Sequence, residues 1–237
     1  ETLDLKTFFT WMEDSSERFE QDEQGEKDFI AYQRDKVAAM SMRLHQSFLE
    51  LPKTPIVVRA VSKYRQKSAP IAFYEQPALD GSRPGFYYVN PSRQHDLPKY
   101  RLAALAYHEA LPGHHMQIAL ARENQNLASF RRLMSFTAYS EGWGLYAEKL
   151  ADEMGGYTSN EERYGQLIME LWRAVRLVLD TGLHSKGWSQ EQALAYRLAN
   201  TPFSEQDSIH AIERYLVMPG QATSYKIGAL EIERLRH

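Results

Sequence analysis

Apolar positions recur at helical spacing over most of this chain. Leu3, Leu5, Phe8, Phe9 and Met12 form one stripe, and Phe29, Tyr32, Val37, Met40, Leu44 and Phe48 form a second, so residues 1–50 read as two helices. The acidic stretch between them, residues 17–26, contains Gly25 and reads as a solvated loop or face. Pro52 and Pro55 end the second helix, and the β-branched run Ile56-Val57-Val58 opens a strand. Residues 71–74 and 85–90 are short and aromatic-rich, and the Asp80-Gly81 and Pro84-Gly85 pairs predict a hairpin there. Asp96 followed by Pro98 predicts a helix start, with Tyr100, Leu102, Leu105 and Ala106 carrying that helix to His108. Beyond Pro112-Gly113 an apolar helix resumes to about residue 122.

Met134, Phe136 and Tyr139 lead into a helix that runs from Glu141 to the Gly155-Gly156 stop. A long helix is predicted over residues 162–179, closed by Asp180-Thr181-Gly182; Arg173 and Arg176 within it either pair with buried carboxylates or snorkel. Ser189 and Gln192 form a capping box for the next helix. Another helix covers residues 204–217 and ends at Met218-Pro219-Gly220, and residues 221–226 read as a turn bearing an exposed tyrosine and lysine. The pattern predicts a mainly α fold with a small antiparallel β-sheet.

Composition narrows the partners. At 237 residues the chain is long enough for one sizeable core, and a net charge of −3 gives no reason to expect nucleic acid or an anionic membrane. No apolar run approaches the roughly 20 residues of a membrane span, and no signal peptide is present. The absence of cysteine removes thiolate ligands, so any metal must be held by His, Asp or Glu. It leaves the compartment open between cytoplasm and periplasm, and nothing in the sequence sets an oligomeric state.

The chemistry is concentrated in Tyr107-His108-Glu109-Ala110-Leu111-Pro112-Gly113-His114-His115-Met116-Gln117. In the zincin pattern H-E-x-x-H two histidines one turn apart share an ion and the glutamate works on water. Here Pro112 stands at the position of the second histidine. On a straight helix His114 would lie about 120° from the His108 face, and His115 would return to that face roughly 10 Å away. Pro112 removes a helical N–H and Gly113 can adopt positive φ, so the pair reads as a two-residue insertion that bends the chain and makes His114 the second ligand, with His115 as the alternative. Glu141 and Glu148 are seven residues apart on one helix face; spacing alone leaves Glu141 open between ligand and solvated side chain. His45 reads as a surface residue. His184 reads either as an oxyanion donor in a turn or as a capping or surface histidine.

At these residues the chain resembles a bacterial family, domain of unknown function 885, whose zincin-like members carry H-E-A-x-P-G-H-H. The resemblance continues through residues 141–148, 182–189 and 214–228, in order, and spans nearly the whole chain. It implies a single zincin-like (gluzincin-type) helical catalytic domain over residues 1–237, corresponding to the C-terminal part of a longer protein whose targeting signal lies elsewhere. It also implies Glu141 as the third ligand to one Zn²⁺, and Tyr215 or Tyr225 as a stabiliser of a tetrahedral oxyanion. The expected function is a zinc-dependent hydrolase, a peptidase with Glu109 as general base. A catalytically degenerate zincin serving as a binding or scaffold module is the alternative, as is a metal-dependent esterase or amidase on a small substrate. A sheet edge upstream of His108 would hold an extended peptide by β-augmentation.

Overall fold

A computed structural model describes residues 4–237; Leu3 of the first predicted stripe lies outside them. Helix α1 (Leu5–Ser15) is capped by Asp4, whose carboxylate accepts from the N–H of Lys6 and Thr7. Helix α2 (Glu23–Ser41) begins inside the acidic stretch, capped by Asp22, so half of that stretch is a helical first turn and not a loop. Its acidic residues there suit the positive end of the helix dipole.

Strands β1 (Ile56–Ala60), β2 (Ala72–Glu75) and β3 (Gly85–Val89) follow. The predicted hairpin forms, β2 pairing antiparallel to β3 with Phe73 opposite Tyr88. The sheet as a whole is mixed and not antiparallel: its order is β1-β3-β2, and β1 runs parallel to β3 with Val58 opposite Tyr87. The segment after β1 carries β2 out to the far edge, which leaves the middle position to β3. Local patterning reports alternation along a strand, not the direction of a neighbour 29 residues on in the register.

Helix α3 (Lys99–Glu109) is nearly all buried. Its N-cap is Pro98, and Asp96 pairs with Arg93 instead of capping. Helix α4 (His114–Glu123), the short α5 (Ser129–Leu133) and α6 (Thr137–Glu153) follow, α6 starting four residues before the predicted Glu141. Helix α7 (Asn160–Ser185) runs straight through Asp180-Thr181-Gly182. Asp180 and Gly182 do not stop it because both are used in packing: the Trp188 indole lies against Gly182, and buried Asp180 accepts from the N–H of Gly220 and Thr223. Helices α8 (Gln190–Asn200), with its predicted capping box, and α9 (Glu205–Val217) lead to α10 (Gln221–Arg236). The sequence reading made this last stretch begin as a turn; Asp180 supplies the missing N-cap from 40 residues away.

Two apolar clusters result. The larger collects Phe29, Met40, Tyr87, Leu102, Tyr107 and Met116 around α3. The smaller joins Val175, Leu179, Ala193, Ile212 and Tyr215. Helix α10 lies along α6 at close range, because Gly142 and Gly228 face each other; a Cβ on Gly142 would meet the Gly228 backbone at 2.5 Å. No helix among the described residues is long and apolar enough to cross a membrane.

Candidate metal centre

Helix α3 makes its last turn at Ala110, whose N–H still reaches the Ala106 carbonyl at 2.8 Å, and Ala110 then leaves helical geometry with ψ −97°. The Leu111-Pro112 peptide is cis, and α4 starts two residues later. Gly113 does not take the expected positive φ; it sits at φ −76°. Glycine is needed there for space, since a Cβ would lie 1.9 Å from the His108 carbonyl oxygen and 2.3 Å from that of Tyr107. The Trp143 indole N–H fastens the excursion by donating to the Pro112 carbonyl at 2.9 Å.

The break swings His114 back over His108, their rings 4.8 Å apart and nearly perpendicular. From α6, Glu141 Oε2 approaches His108 Nε2 at 3.4 Å and His114 Nε2 at 3.5 Å, and one ligand atom from each residue lies within 4.8 Å of the others. His108 is 3% and His114 9% exposed. His108 Nδ1 contacts Glu148 Oε1 at 2.7 Å. A carboxylate only accepts, so Nδ1 carries the hydrogen and, in neutral imidazole, the Nε2 lone pair points at Glu141. Two acceptors then face each other unless a cation lies between.

The same conflict sets the acid–base behaviour. Burial works against charge on His108, but the bonds to Glu141 and Glu148 outweigh it and raise its pKa to about 9. Burial would push Glu141 upward, yet its contacts with both imidazoles hold it well below the carboxylate range. The donor set suits zinc: two imidazole nitrogens and a carboxylate oxygen, with two separations close to the roughly 3.4 Å edge of a tetrahedron of 2.0–2.1 Å bonds. His108, His114 and Glu141 therefore fit a divalent ion without thiolates.

Glu109 closes α3 next to His108; it is half-buried and, among the described residues, has no hydrogen-bond partner. Its charge is close enough to raise the pKa of both His108 and Tyr87. His115 is not brought to the group. Its Nε2 faces the Thr54 carbonyl at 3.0 Å, which can only accept, so Nδ1 is left to accept from the Tyr74 hydroxyl at 3.0 Å. Burial lowers its pKa to about 4 and keeps it neutral.

Tyr225 was expected to be exposed and is buried, its ring 6.1 Å from that of His108. Its oxygen accepts from Gln221 Nε2 at 3.1 Å, and burial, with Glu141 adding to it, raises its pKa and preserves its proton. Tyr215 and His184 belong elsewhere: the Tyr215 hydroxyl meets Trp172 and Arg197, and His184 Nε2 contacts the Tyr215 carbonyl at 2.9 Å. Both sit with the smaller apolar cluster because α7 continues past Gly182 and carries His184 away from the centre. Glu148, fully buried and 3.5 Å from Arg173, was overlooked as the partner that orients His108. Its spacing from Glu141 was the available signal.

A protein-family match extends along the whole chain. This chain belongs to the bacterial protein family of unknown function DUF885. The match covers residues 1–237. Among solved structures, the DUF885 chain is similar to one described as "the putative lipoprotein from Colwellia psychrerythraea", with 38% identity and a TM-score of 0.91. That similarity covers 97% of this chain and 40% of the other. A "putative lipoprotein of unknown function from Shewanella oneidensis" shares the fold at 22% identity and a TM-score of 0.73, covering 96% of this chain and 46% of that one. The chain thus spans less than half the length of both. No curated protein matches it.

Proposed function

We propose that this DUF885 chain carries the metal centre of a zinc-dependent peptidase, of gluzincin type. The observation that carries this is the convergence of His108, His114 and Glu141 from three separate helices, with Glu109 beside them. When bound, a zinc ion would lower the pKa of a water molecule towards neutrality and polarise a substrate carbonyl. Glu109, which has no hydrogen-bond partner among the described residues, would be free to take a proton from such a water and pass it to the leaving nitrogen. Glu148 holds the His108 tautomer and ring, and Arg173 in turn balances the charge of Glu148. Tyr225, whose oxygen already accepts from Gln221, has its own proton left to donate to a developing oxyanion.

Strand β2 supports peptide binding. The Asn90 N–H bonds the Ile71 carbonyl, so in this antiparallel register residues 73 and 75 also pair with β3, while the backbone groups of Ala72 and Tyr74 face the free edge. Tyr74 lies 6.5 Å from the His114 ring, so an extended chain added at that edge would pass beside the centre. The description of the 38%-identical structure as a putative lipoprotein favours a periplasmic setting over a cytoplasmic one.

Two measurements on one variant test the assignment. Glu109→Gln keeps one equivalent of zinc and loses nearly all hydrolysis of a panel of blocked and unblocked peptides. Normal hydrolysis by that variant would remove Glu109 from its role. Well under one equivalent of zinc in the unaltered chain would favour a degenerate binding module instead, and cleavage of model esters alone an esterase.

A further inference from the structure

A cavity of about 800 Å³ lies between α4, the start of α6 and the loop before β1. Phe48, Leu51, Met116, Leu120 and Trp143 line its apolar side, and Glu50, Lys53 and residues 123–126 form a polar rim. Its walls are the helices that carry the metal ligands: Gln117, also lining it, stands three residues after His114, and Tyr139 and Trp143 flank Glu141 on α6. Gln117 ties the two walls together by donating to the Tyr139 carbonyl at 3.1 Å. Because that carbonyl can only accept, the amide nitrogen must face it, and Gln117 Oε1 is left buried without a partner. The third wall is equally fixed: Glu123 accepts from the N–H of Lys53 and Thr54 at 2.9 and 2.8 Å. Beyond the cavity, Phe130, Leu133, Met134 and Phe136 stand 53–66% exposed, so the adjoining surface of α5 and the following segment stays apolar.

We infer that this cavity is a specificity pocket for a large apolar or aromatic side chain of a peptide substrate, with Gln117 Oε1 as acceptor for a main-chain N–H. As a statement about substrate it rests on the peptidase assignment, but occupancy can be read without catalysis. The volume falls within the roughly 300–1,000 Å³ typical of ligand sites, and an apolar side formed by Phe48, Leu51, Met116, Leu120 and Trp143, set against a polar rim and one unsatisfied amide, matches an apolar side chain flanked by peptide main chain.

The test is calorimetric titration of the zinc-free chain with the blocked peptides acetyl-Ala-Ala-Phe-Ala-Ala-amide and acetyl-Ala-Ala-Ala-Ala-Ala-amide. The phenylalanine peptide binds about tenfold more tightly or better, since it alone buries a ring. Leu51→Glu, at a loop position already 40% exposed, removes most of that preference without touching the core. Leu120→Trp, which fills the cavity, does the same. Equal affinities, no binding of either peptide, or a preference that survives both variants overturns the pocket. Failure of the peptidase assignment looks different: zinc does not bind or Glu109→Gln changes nothing, while the phenylalanine preference persists.

Discussion

Gly144 lies on α6 between Glu141 and Glu148, directly under the His108 ring. A Cβ there would stand 2.6 Å from His108 Cε1, 2.7 Å from Nε2 and 2.9 Å from Nδ1, where ordinary contact begins at 3.4 Å. Gly144→Ala therefore requires a relative shift of about 0.8 Å between ring and helix, taking the first of those distances to contact. The helix backbone resists, being packed on α10, so the imidazole moves. That displacement pulls Nδ1 off Glu148 and Nε2 out of line with Glu141 and His114. Losing an orienting contact of this kind typically weakens metal binding about 10–100-fold. Stability falls by about 0–2 kcal/mol, because the steric cost of about 1–3 kcal/mol is partly offset by the roughly 1 kcal/mol that alanine gains over glycine inside a helix. Competition titration with a zinc chelator gives the affinity, and circular dichroism with thermal melting checks the fold. An unaltered zinc affinity in a folded Gly144→Ala chain would show that His108 is not held where these contacts put it.

The two adjacent histidines should behave oppositely. His114→Ala abolishes zinc binding and leaves melting of the zinc-free chain nearly unchanged. His115→Ala keeps the zinc-binding donors, yet strands the Thr54 carbonyl and the Tyr74 hydroxyl and destabilises by about 2–4 kcal/mol, read by denaturant unfolding. The pH profile of zinc affinity follows from His108: with its pKa at about 9 in the zinc-free chain, binding displaces one proton below that pH. The logarithm of the affinity therefore rises by about one per pH unit from near-neutral pH towards 9; a flat profile would contradict this. His115 has the opposite shift, its pKa lowered to about 4 from an ordinary 6.5, so its stabilising contribution is complete above 6.5 and is lost as pH falls towards 4. Asp180→Ala uncaps α10 and lowers stability by about 1–2 kcal/mol, measured by thermal melting.

What could be read from the residues was whatever depends on near neighbours. The broken turn at Pro112-Gly113 was legible because proline cannot supply the helical N–H, and His114 was preferred to His115 by reading that pair as an insertion into the H-E-x-x-H spacing, since a straight helix would bring neither to His108. The hairpin of β2 and β3 and the Ser189 capping box were equally local. Several misreadings involve partners far along the chain. Asp180 looked like a terminator because its true role is to accept from Gly220 and Thr223. Tyr225 looked exposed because the helix that buries it is capped from outside its own segment. His184 was read as lying in a turn because α7 was thought to end before it, and Tyr215 was named from the resemblance and not from its surroundings. The direction of β1 against β3, and the burial of Glu148 beneath His108, are decided by packing between elements that no window of sequence contains.

The abutting glycines at 142 and 228 have a mechanical result. With no side chain to act as a spacer, α6 cannot roll on α10 without colliding backbones, so its azimuth is locked. Since that one rod bears both Glu141, which meets the two imidazoles, and Glu148, which steadies His108, the final 16-residue helix works as a remote clamp on how these side chains meet.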